Sequence, residues 1–155
     1  RWSAEPGGAS LALDPKALNP LEPGRRPVQA INPAMADLKD GRVLAYGTSG
    51  GDGQPQTQAQ IFERHIRHGV PLEEALDAPR WLLGRSWGAA GTDLRFEART
   101  DDRVIAELQR MGHQAEAIAA GASALMGEAG AVTLYPDRSS GGAHDPRAEG
   151  AAAGI

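Results

Sequence analysis

The stretch Gly47-Thr48-Ser49-Gly50-Gly51-Asp52-Gly53 constrains this chain more than any other part of it. It packs four glycines into seven residues, between an apolar strand-like run and a helix-like run. Glycine adopts positive φ without steric cost, so such a loop bares backbone N–H groups beside the positive end of a helix. A nest of that kind binds anions, or stabilises the oxyanion that forms during acyl transfer. The plainer alternative is a flexible strand–helix turn. No Lys follows, so the loop is not a phosphate-binding Walker loop, and the full dinucleotide fingerprint is missing. Gly47 to Gly51 also fits the nucleophile-elbow pattern G-x-S-x-G, which would make Ser49 a nucleophile with His113 and His144 downstream. A chain of 155 residues is short for that fold. Pro55 and the glycine run also delay the helix that should start at the elbow.

Around this loop the pattern is strand, turn, strand, loop, helix. Ala34–Leu38 and Arg42–Tyr46 read as two strands joined by Lys39-Asp40-Gly41, and Asp-Gly is a strong hairpin signal. A helix is predicted from about Pro55 to His68, with Ala59, Phe62 and Ile66 as its apolar stripe and Gly69 as its stop. Pro71 opens a short second helix, Leu72 to Asp77, with Glu73 and Glu74 at its positive end, and Pro79 ends it. Arg80 to Gly91 reads as irregular. Leu94–Ala98 alternates like a strand. Thr100 is the expected cap of a third helix, whose apolar face is Val104, Ile105, Leu108 and Met111 and whose stop is Gly112. Ala115–Ile118 and Ala131–Tyr135 read as strands, and the tail from Pro136 as Gly-rich and polar. Upstream, residues 1–33 are broken by prolines and glycines, with a turn at Glu22–Pro27. Antiparallel neighbours mixed with amphipathic helices indicate an α/β (α+β) class rather than an all-parallel sheet.

Composition removes whole classes of function. The formal net charge is −4, which does not suit a nucleic-acid or membrane-surface binder. Cysteine is absent, so thiol catalysis, disulfides, Cys-ligated zinc and iron–sulfur clusters are excluded together. No apolar run approaches the roughly 18 residues of a membrane helix. Only 5% of residues are aromatic, so the core must be built from Leu, Ile, Val and Ala.

Other candidate groups have plain readings. His65 and His68 sit i, i+3 on a helix without further metal ligands nearby, and read as solvated surface residues. Trp81 and Trp87 read as packing under an irregular loop. The run Gly141 to Gly154 combines turn residues with small apolar ones, and reads as a segment buried against another layer or another chain.

Four motifs in register resemble the gamma-glutamyltranspeptidase family. They are Pro23-Gly24-Arg25-Arg26-Pro27, Gly47-Thr48-Ser49-Gly50-Gly51, Ala75-Leu76-Asp77-Ala78-Pro79-Arg80-Trp81, and Asp145-Pro146-Arg147 with the small-residue run to Gly154. The resemblance implies an N-terminal nucleophile hydrolase with an αββα sandwich. In that family a precursor cuts itself into a large and a small subunit. The new N-terminal Thr attacks an amide, with its own α-amine as base. Residues 1–155 resemble the C-terminal part of the small subunit, a single partial domain without the strand that follows the nucleophile.

The resemblance places Gly50 and Gly51 in the oxyanion hole as the catalytic pair. It places Gln29 and Ala30 where typical members carry a Ser-Ser pair, and with Ser49 these are the expected substrate-binding residues. No nucleophile, cofactor or metal is expected in this chain. The implied partners are the large subunit of the same precursor and a small-molecule amide or gamma-glutamyl substrate, as in glutathione metabolism. No nucleic acid or membrane partner is expected. Gly51-Asp52-Gly53-Gln54-Pro55-Gln56-Thr57-Gln58 resembles a divergent branch that includes amidohydrolases acting on small acids such as oxamate. A soluble bacterial-type protein is implied, cytoplasmic or periplasmic. The alternative is a truncated, inactive relative kept as a structural or interaction module. Alone, the chain is expected to hydrolyse no amide and to be poorly soluble or partly unfolded.

Overall fold

The structure is a computed structural model that describes residues 22–26, 31–84, 93–118 and 124–154. The chain divides into two compact units, Arg1–Asn32 and Pro33–Ile155. In the first, the expected turn is present at Pro23-Gly24, with Gly24 at φ 78° and the Arg25 N–H donating to the Glu22 carbonyl.

The second unit holds two sheets. Strands β1 (Ala34–Asp37), β2 (Val43–Thr48), β6 (Ala129–Leu134) and β7 (Ser140–His144) form an antiparallel sheet in the order β1-β2-β6-β7. The predicted Asp40-Gly41 turn joins β1 to β2, and Gly41 sits at φ 86°, where a β-carbon is strained. Strands β3 (Trp81–Leu83), β4 (Leu94–Glu97) and β5 (Ala115–Ile118) form the second sheet. There β3 runs antiparallel to β4, and β4 parallel to β5. Helix α3 (Asp102–Arg110) makes the β4–β5 crossover that a parallel pair needs.

Helices α1 (Gln54–Phe62) and α2 (Leu72–Asp77) serve the first sheet. α1 continues as a π-helical turn over Glu63–Arg67, and Gly69 at φ 69° follows it as expected. Ile61 and Leu76 pack on Ala129 and Ala143, with Leu72 beside them. Small side chains on the strands let the helices come close. A second core joins Phe96, Ile105 and Ala115, with Leu94 and Leu108 against it. Among the described residues no helix or further strand covers the opposite face of the first sheet. Its central row is Met35, Ala45, Val132 and Gly142, all exposed. No described helix is long and apolar enough to cross a membrane.

Several expectations are corrected. Ala59 is exposed, and the buried side of α1 is Gln54, Thr57, Gln58, Gln60 and Ile61. The cause is the helix's neighbour. The carboxamide of Gln60 exchanges both hydrogen bonds with the backbone of Trp81, and that of Gln56 does the same with Leu83. These amides complete the free edge of β3 as another strand would. Helix residues four apart are separated by about 6 Å, close to the roughly 6.6–6.8 Å between alternate strand residues. Strand β3 lies where irregular chain was expected, and β7 lies in what read as a polar tail. Trp87 falls outside the described residues. Asp101, not Thr100, caps α3, accepting from the Arg103 N–H at 2.9 Å. Val104 and Met111 are exposed, leaving Ile105 and Leu108 as the packed face. In the small-residue tail Ala152 lies over Gly142, yet Ala151–Gly154 stay exposed.

Candidate active site

The glycine loop leaves β2 at Thr48 and enters α1 through a 3₁₀ turn at Gly51–Gly53. Gly50 has φ 116° and ψ 16°, and Gly51 has φ 57°. Two successive residues on the positive side of φ are a conformation that only glycine supplies cheaply. The turn closes through the Gly53 N–H, which donates to the Gly50 carbonyl at 3.0 Å. The Gln54 carboxamide donates to the Gly51 carbonyl at 3.1 Å. Gly50 is buried and Gly51 half-buried. Among the described residues none accepts from the Gly51 N–H. The loop therefore presents the Gly51 N–H at the positive end of α1, an arrangement suited to an anion.

The loop rests on the strap Met126-Gly127-Glu128, which the sequence reading did not single out. A β-carbon on Gly50 would stand 3.1 Å from the Gly127 Cα. One on Gly127, itself at φ 81°, would stand 2.5 Å from the Thr48 hydroxyl and 2.7 Å from the Ser49 carbonyl. Two glycines are thus needed for the segments to touch. Ser49 joins them with a reciprocal pair of bonds: its N–H donates to the Glu128 carbonyl at 3.0 Å, and its Oγ accepts from the Glu128 N–H at 3.1 Å. Thr57 Oγ1 on α1 donates to the Met126 carbonyl at 2.9 Å. The elbow reading gains no support, because neither His113 nor His144 bonds the Ser49 hydroxyl. Gln29 and Ala30 lie outside the described residues.

Beneath the strap lies a buried charge network. Arg80 pairs with Asp145 at 2.6 Å, Asp145 with Arg147 at 3.0 Å, and Arg147 with Glu97 at 2.5 Å. These four side chains are fully buried. Burial pushes the Asp145 carboxyl up. The Arg147 backbone N–H, the Arg80 charge and the Ala129 N–H outweigh it and hold the group below the usual carboxylate range. Burial and the Arg147 charge hold Arg80 below the ordinary guanidinium value. The network binds the end of β4 to the segment after β7. Arg80, Asp145 and Arg147 were legible only as motif residues in Ala-Pro-Arg-Trp and Asp-Pro-Arg, and Glu97 only as a strand residue, since nothing in their spacing shows that they meet.

His65 corrects its solvated reading: its Nδ1 lies 2.8 Å from the Val70 carbonyl, closing the end of the helix. Among the described residues no cluster of His, Asp and Glu could hold a metal. A groove of about 790 Å³ runs along the bare sheet face, lined by Met35, Ala45, Gly47, Gly130, His144 and Ala152 among others.

The gamma-glutamyltranspeptidase family model matches residues 3–155. The chain belongs to this family. It is 51% identical over 147 residues to the oxamate amidohydrolase proenzyme of Klebsiella pneumoniae, covering 95% of this chain and 28% of that protein. It is 38% identical over 148 residues to the glutathione hydrolase-like YwrD proenzyme of Bacillus subtilis, covering 96% of this chain and 28% of the relative. The chain thus spans a little over a quarter of their length. A mutant Helicobacter pylori gamma-glutamyltranspeptidase superposes with a TM-score of 0.72 at 27% identity, over 95% of this chain and 77% of that one. The mixed helix-and-sheet fold is that of the gamma-glutamyltranspeptidases, as the resemblance implied.

Proposed function

We propose that this chain is the C-terminal part of the small subunit of an amide-hydrolysing gamma-glutamyltranspeptidase, of the kind that acts on small acids such as oxamate. The observation that carries this is the pair Gly50 and Gly51, both at positive φ, seated on Gly127 at the N-terminus of α1. Their N–H groups form the oxyanion hole. The 51% identity to the oxamate amidohydrolase proenzyme supports the substrate class.

The rest of the machinery lies upstream in this reading. An N-terminal Thr adds its Oγ to the amide carbonyl and passes its proton to its own α-amine. The carbonyl oxygen becomes the oxyanion held by Gly50 and Gly51. The C–N bond breaks as the proton passes to the leaving nitrogen, and water then hydrolyses the acyl ester. Oxamate would yield oxalate and ammonia. The resemblance keeps Gln29 and Ala30 as expected substrate-binding residues, and Ser49 offers the acid an O–H donor. The bare face of the first sheet is the seat of the partner layer from the precursor, and the small-residue tail packs beneath it. The chain by itself performs no turnover.

The test joins the chain to the upstream segment of the Klebsiella proenzyme and follows ammonia release from oxamate. Gly51→Val should abolish release, because a β-branched residue is costly at φ 57° and fills the anion's place. Losing one such donor typically costs about 2.7–4 kcal/mol of transition-state stabilisation. His65→Ala should stay within a few-fold. Full activity in Gly51→Val would remove the oxyanion assignment. A folded, processed assembly with no amidase activity would point to an inactive structural relative.

A further inference from the structure

We infer that Arg80 is a positioning residue that acts on Ser49 and the glycine loop through the single peptide group between Gly127 and Glu128; the inference rests on the Gly50–Gly51 reading above. The fully buried guanidinium forks between four acceptors. Its Nη1 donates to the Gly127 carbonyl at 3.0 Å and the Met126 carbonyl at 3.4 Å. Its Nη2 donates to the Leu76 carbonyl at 2.9 Å and pairs with Asp145 at 2.6 Å. The Gly127 carbonyl belongs to the same peptide as the Glu128 N–H, and that N–H donates to Ser49 Oγ at 3.1 Å. Arg80, peptide and Ser49 are therefore links in one hydrogen-bonded chain. A charge on the carbonyl end polarises the N–H at the other, and strengthening passes along such chains. An oxygen that accepts from a polarised N–H becomes a better donor through its own proton. Arg80 thus sharpens the Ser49 hydroxyl without touching substrate.

The same contacts fix position. The strap is pinned from below by Arg80 and Thr57, and by Asp145, which accepts from the Ala129 N–H at 2.9 Å. Gly50 rests on its upper side. A shift of the Gly127 peptide is a shift of the loop. Lysine cannot replace the fork, because an ammonium carries three donors at one point and cannot serve three carbonyls and a carboxylate together.

The experiment uses the completed assembly with oxamate. Arg80→Lys keeps the charge and should lower kcat by about tenfold or more with KM within about threefold, the pattern of misplacement at a distance. Ser49→Ala should lower kcat comparably. The double variant should fall no more than about twofold below the lower single, since both substitutions break one chain. Additive losses, or an unchanged kcat in folded Arg80→Lys, would overturn the inference. Should Arg80→Lys fail to fold, Thr57→Val replaces it in the cycle. That variant removes the second pin on Met126 at almost constant volume, and the same split and the same non-additivity are required of it. The two readings separate cleanly. Activity in Gly51→Val removes the oxyanion assignment, whereas an inactive Gly51→Val beside an unimpaired Arg80→Lys removes only the role of Arg80.

Discussion

Gly127 shows how much one hydrogen in place of a methyl can decide. Its φ of 81° disfavours any side chain, and a β-carbon there would meet Thr48 and Ser49 well inside contact distance. Gly127→Ala is expected to push the glycine loop off the strap, costing activity and lowering the thermal midpoint together. Wild-type activity with an unchanged midpoint would show that the strap does not support the loop. Asp145 makes a different demand. Its carboxyl titrates below the ordinary carboxylate value, so the stability it contributes is complete above that value and is lost as pH falls through the lower folded-state value. Acid unfolding below the ordinary carboxylate range should therefore steepen on this residue. Asp145→Asn should be less stable at neutral pH, because Arg80 is left buried without its anion while Arg147 keeps only Glu97, and should lose less on acidification. Parallel pH profiles for the two proteins would contradict this.

At the scale of elements, α1 shows why a periodic reading fails. Its limits follow from Pro55 and Gly69, but its buried face follows from what lies beside it. Apolar periodicity assumes an apolar neighbour, and here the neighbour is the polar edge of β3. Gln60→Met in the completed assembly should cost about 1–3 kcal/mol, since it leaves the Trp81 N–H and carbonyl unpaired at nearly constant volume. Ala59→Arg, on the exposed face, should stay within about 0.5 kcal/mol. Urea unfolding decides between the faces, and the reverse ranking would restore the Ala59 stripe. Strand β3 escaped notice for a related reason. Three residues are too few to show alternation, and this strand is held by side chains from a helix as much as by β4.

At the scale of the whole molecule, the bare sheet face dominates. Met35 is 76% exposed and Val132 54% exposed, on the face opposite both helices. Apolar surface of this kind marks an interaction site or an aggregation liability. The isolated chain should self-associate, and light scattering should fall when the upstream segment is supplied. Replacing Met35 and Val132 together by Lys should improve the solubility of the isolated chain and weaken its assembly with that segment. A pair of lysines that changes neither property would show that this face has no partner.

Local chemistry was legible from residues alone. The hairpin at Asp40-Gly41, the limits of α2, the strands β4 and β5 and the stops at Gly69 and Gly112 all depend on neighbours in the chain, where φ preference and turn chemistry act directly. The glycine loop was legible for the same reason: its left-handed backbone is a property of Gly50 and Gly51 themselves. What supports that loop was not. Gly127 meets Gly50 across 77 residues, and Arg80 meets Asp145 across 65. Nothing local in either partner requires the other. Those contacts exist because the pairing of β2 with β6 and of β6 with β7 brings distant segments to one end of a sheet, and the cost of burying a charge then selects the partners that can satisfy it.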